Sequence, residues 1–136
     1  SADKPMRRFF ERCEEQWINQ PGPSYWLKHF KNDSQAELFP SGVVRELRAL
    51  LNEALRLGER AGDAVVLERI QFVSDAWGLT ERYVTFCEVR ETLQEALLGR
   101  GQATPLQGLL ERYQAARGEF VRYAEKHTLW RSHGWC

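Results

Sequence analysis

The residue types that most often carry chemistry are sparse in this chain, and their spacing does not assemble a site. His127, His133 and Cys136 are the potential metal ligands that cluster along the sequence. As a set they fit no common zinc arrangement and lack a fourth donor, so no metal centre is expected. Nucleophilic catalysis would need a nucleophile, a base and a group that orients the base. No Gly-x-Ser-x-Gly elbow occurs, and none of Cys13, Cys87 and Cys136 lies at an electropositive helix start. The stretch LGRGQ has two glycines but no lysine followed by Ser or Thr, which a phosphate-binding loop requires. Neither a catalytic residue nor a cofactor is therefore expected.

Carboxylates are plentiful, and Glu14 with Glu15, Glu88 with Glu91, and Glu37 are the ones that could serve as acid and base. Glycoside hydrolysis would set two such groups across a sugar-sized cleft. Here the acids alternate with arginines, as in Glu53 and Arg56, Glu68 and Arg69, and Glu111 and Arg112. That pattern reads as solvated helix surface.

The aromatic residues are the more informative set. Trp17 to Trp26 reads WINQPGPSYW, and the tail reads HTLWRSHGWC. Tyr25, Trp26, His29, Trp130 and Trp135 lie outside the periodic segments and are the candidate interface or carbohydrate contacts. An indole can stack on the C–H face of a sugar, but a sugar site also needs polar groups at fixed positions to read hydroxyls. Tryptophans at the edge of a domain equally suit packing against a neighbour. Trp130 is expected to be anchored.

These residues must be positioned by helices. The first helix is expected to start near Asp3 or Pro5, with Asp3 as cap and Pro5 in the first turn. Met6, Phe10, Cys13 and Trp17 recur at helical spacing, with Trp17 closing the buried stripe. Pro21-Gly22-Pro23 ends the helix, KNDSQ reads as a loop, and AELFP adds a helical turn. Ser41 is expected to cap the next helix, whose seam is Val44, Leu47, Leu51 and Ala54 and which fades near Gly62. Asp63 then caps the longest element, about Ala64 to Leu98. One of its faces carries Val66, Ile70, Val73, Trp77, Val84 and Cys87; the other carries Phe72, Leu79, Tyr83, Phe86, Leu93 and Leu97. A helix apolar on two sides is expected to be covered on both. Gly78, inside it, marks close packing or a kink. Thr104, Pro105 and Gln107 start the last helix, which runs to about His127.

The predicted fold is thus all-α: an antiparallel up-down helical bundle with one long central helix. Residues 1–136 read as a single helical domain. The start at Ser1, not Met, and the stop just after Trp135 suggest a piece of a larger multidomain protein. Lys plus Arg and Asp plus Glu are equal at 19 each, which argues against a nucleic-acid partner. No apolar run is long enough to span a bilayer. Buried thiols are expected at Cys13 and Cys87, with their pairing left open for an exported parent.

Three stretches together, RRFFERCEEQWINQPGPSYWLKHF, ELFPSGVVRELRALLNEA and ERIQFVSDAWGLTERYVTF, resemble a bacterial family. It is labelled domain of unknown function 4838, and the likeness is to its C-terminal helical region. The resemblance covers about Pro5 to Tyr83 and rests on segment order. It implies glycoside-hydrolase-like parents, distantly similar to α-glucuronidases and secreted or periplasmic. Their chemistry would belong to a preceding barrel, so no catalytic residue carries over to this chain. The implied role is a non-catalytic accessory domain, packing on the adjacent catalytic domain or mediating homodimer contacts. Two alternatives stand beside it: a module binding polysaccharide through exposed Trp and Tyr, and a helical protein-interaction domain.

Overall fold

The computed structural model describes residues 1–19, 34–100 and 105–127. Every described element is a helix: α1 (Asp3–Ile18), α2 (Ser34–Leu38), α3 (Ser41–Ala61), α4 (Ala64–Leu97) and α5 (Leu106–His127). The all-α expectation holds, and α4 is the long helix foreseen. The Pro-Gly-Pro corner and Thr104 lie outside the described residues. Ser34 and Gln35, expected in a loop, already belong to α2.

Local chemistry explains most helix ends. Asp63 starts α4 as expected: its Oδ1 accepts from the backbone N–H groups of Val65 and Val66, at 3.0 and 3.1 Å. Gly62 ends α3 at φ 71°, a left-handed conformation that glycine adopts without a Cβ penalty. At the end of α4 the N–H of Gly99 donates to Ala96 and that of Arg100 to Glu95, closing a Schellman motif around a positive-φ glycine. Two expected caps fall elsewhere. Ser41 is the first residue inside α3, because extended Pro40 supplies the carbonyl that takes Val43 and Val44. Asp3 lies inside α1 behind Ala2, and its own N–H is met by the Ser1 hydroxyl. At the start of α5 the Pro105 carbonyl accepts from Leu109, and the Gln107 amide donates to Glu111.

The chain forms two compact units, Ser1–Trp77 and Gly78–Cys136, and the boundary falls within α4. In the first unit α3 is the central element. Leu47, Leu51, Ala54 and Gly58 follow one another at helical spacing and are all buried. Ala2 packs with Ala54, Phe9 with Leu47 and Leu51, and Arg12 pairs with Glu46 at 3.0 Å. Rising numbers on α1 meet falling numbers on α3, so the two run antiparallel. The same holds for α3 and the start of α4: Gly58 lies against Leu67 and Ile70, while Arg48 donates to the Ser74 hydroxyl at 2.7 Å and its carbonyl at 3.2 Å. Ser74 is buried, so this charge-assisted pair satisfies a hydroxyl that would otherwise cost stability. Trp77 completes the cluster, with Phe9 and Phe39 perpendicular to it at 5.5 and 5.1 Å. Its buried Nε1 has no hydrogen-bond acceptor among the described residues. Perpendicular ring packing is the favoured aromatic geometry here.

α1 does not bury the stripe predicted for it. Pro5 and Phe9 are buried, Met6 and Cys13 are half-buried, but Phe10 is 54% exposed and Trp17 is 47% exposed. The apolar arc from Pro5 to Phe10 is wider than α3 can cover, and the Phe9 side faces the core. Trp17 therefore does not close a buried stripe. The two-sided cover expected of α4 is likewise partial, since Phe72 is 67% exposed and Leu97 is exposed as well.

In the second unit α4 and α5 also run antiparallel. Tyr83 meets Phe120 at 5.4 Å, and Phe86 meets Tyr113 at 5.5 Å. Gly78 marks close packing: a Cβ there would lie against the Tyr123 hydroxyl and 2.7 Å from its Cζ. The ring is held by the Arg82 guanidinium, 3.8 Å from its centroid, and by His127 stacked at 4.1 Å. Arg82 in turn donates to the Gly78 carbonyl at 2.9 Å.

Leu51→Ala should destabilise the first unit by about 2–5 kcal/mol, measured by urea unfolding. Gly78→Ala would normally gain about 1 kcal/mol in a helix. Here it should instead cost about 1–3 kcal/mol through overpacking. In a Tyr123→Ala background the sign should reverse, and a double-mutant cycle in thermal unfolding reads the coupling.

Candidate functional site

The five residues singled out from the sequence, Tyr25, Trp26, His29, Trp130 and Trp135, all lie outside the described residues, as do His133 and Cys136. His127 is described, and it stacks on Tyr123. Among the described residues no three His, Cys, Asp or Glu side chains gather in a way that could hold a metal ion.

The carboxylates behave as helix-surface charges. Glu15 takes Arg8 at 2.7 Å and Arg12 at 3.5 Å, and Glu46 takes the Nε of Arg12. Glu14, Glu37, Glu88 and Glu91 are exposed. The α1 network also has a structural task. Arg12 donates to Gln16, whose amide donates to the Leu38 carbonyl, linking α1 to the end of α2. Cys13 and Cys87 are present as thiols, the first half-buried and the second buried. Burial pushes the Cys13 thiol up to about 11, with Arg12 acting in the opposite direction. A thiol held protonated at neutral pH is a poor nucleophile.

One open groove, about 270 Å³, runs along the second unit between Glu81, Arg82 and Thr85 of α4 and Ala116 and Glu119 of α5. Residues one turn apart on each helix bring these side chains to one side. Arg82 is fixed by Gly78 and Tyr123. Glu119 is held below the usual carboxylate range, first by the hydrogen bond from Arg122 and then by that residue's charge. The Thr85 hydroxyl donates back to the Glu81 carbonyl at 3.0 Å. A carboxylate kept ionised and a guanidinium are not suited to general acid–base work near neutrality. What the groove offers is ion pairing. Gly78, which the sequence alone reads as close packing or a kink, lies one turn before Arg82 and is a site of close packing. Periodicity does not say which distant side chain fills the space.

Apolar side chains also lie exposed on α1 and α4 among the described residues, Phe72 of α4 among them. Phe10, Trp17 and Ile18 are exposed on α1, the helix whose other side packs on α3.

The Cys13 shift has a pH signature. The folded state holds the proton more tightly than an ordinary thiol near 9.0. The contribution is complete below that pH and is lost as pH rises through about 11. Cys13→Ala should flatten the alkaline fall in stability between those limits, read by denaturant unfolding at each pH. Native Cys13 should also react with iodoacetamide at pH 8 more slowly than in the unfolded chain.

No family model, no curated protein and no solved structure matches the chain.

Proposed function

We propose that this chain is a non-catalytic, accessory helical domain that docks against an adjacent catalytic domain of the same polypeptide, in a carbohydrate-active, glycoside-hydrolase-like parent. The observation that carries the docking role is the exposed apolar flank of α1, Phe10 and Trp17 with Ile18 at the helix end. Large aromatics left at a domain surface are the side chains that most often dominate interface energies. The flank also adjoins the α1–α3 packing, so a partner seated there would extend a core already formed. The carbohydrate-active parent is inferred from the family resemblance of the segments RRFFERCEEQWINQPGPSYWLKHF, ELFPSGVVRELRALLNEA and ERIQFVSDAWGLTERYVTF, in that order. No helix among the described residues is long and apolar enough to cross a membrane, and the proposed partner is a protein surface.

The test uses the protein encoded by the whole gene. Phe10→Glu and Trp17→Glu should each release the helical domain from its neighbour. Limited proteolysis and hydrogen exchange across α1 would read this, with a loss of inter-domain affinity of roughly tenfold or more. Gln114→Glu, exposed on α5 and outside the groove, should leave docking unchanged. Unaltered protection of α1 in both aromatic variants would overturn the proposal. A concentration-dependent dimer of the isolated chain, lost in the same variants, would assign the flank to a second copy and overturn it too.

A further inference from the structure

We draw no further inference here: the strongest candidate, the exposed ridge of Val65, Arg69, Phe72 and Ala76 along the first half of α4, carries nothing because no feature of the structure shows what covers it.

Discussion

The first unit depends on how closely α3 can be approached. Its buried line of Leu47, Leu51, Ala54 and Gly58 shrinks from two leucines to two small residues along the helix. The leucines meet the bulky pair Phe9 and Trp77, and the small residues meet Ala2 and Ile70. Large side chains thus oppose large ones at one end, and backbones come close at the other. Interiors packed to near-crystalline density tolerate little change in such a line. The polar contacts are arranged around it. Arg48 reaches Ser74 and Arg12 reaches Glu46, each between elements that the apolar line has already brought together.

The second unit solves the same problem with different residues. Its seam is aromatic, with Tyr83, Phe86, Tyr113 and Phe120 in contact. At Gly78 the absence of a Cβ admits the Tyr123 ring against the helix. Arg82 contributes through its stack on that ring and its bond to the Gly78 carbonyl, so an arginine next to the seam is part of the packing.

Short-range chemistry was legible in the sequence, and partnership was not. Gly62 and Asp63 announce the end of α3 and the start of α4 because each acts on backbone within a few residues of itself. The lengths of α4 and α5 follow from periodicity and from breaks at glycine and proline. Phe9 and Phe10 show the limit. They are neighbours on one broad apolar arc, and only the position of α3 decides which is buried. Phe72 was recognisable as apolar but not as uncovered, for the same reason. Residue type points to Ser41 as the cap, whereas the extended conformation at Pro40 moves the boundary by one position. The candidate contacts Tyr25, Trp26, His29, Trp130 and Trp135 fall outside the described residues. The groove at Arg82 lies between the consecutive helices α4 and α5, where Gly78 signals a special site but periodicity does not say that Tyr123 packs against it.

The brevity of the link at Gly62 and Asp63 bears on the order in which the first unit assembles. Closing a chain costs entropy that rises with the logarithm of the span, so contacts between nearest helices are the least demanding to form. α3 and the opening turns of α4 can zip together from that link, whereas α1 must be carried back across a longer stretch to reach Leu47 and Leu51. Loop-closure entropy therefore favours the α3–α4 pairing over the α1–α3 pairing that brings Phe9 to Leu47 and Leu51.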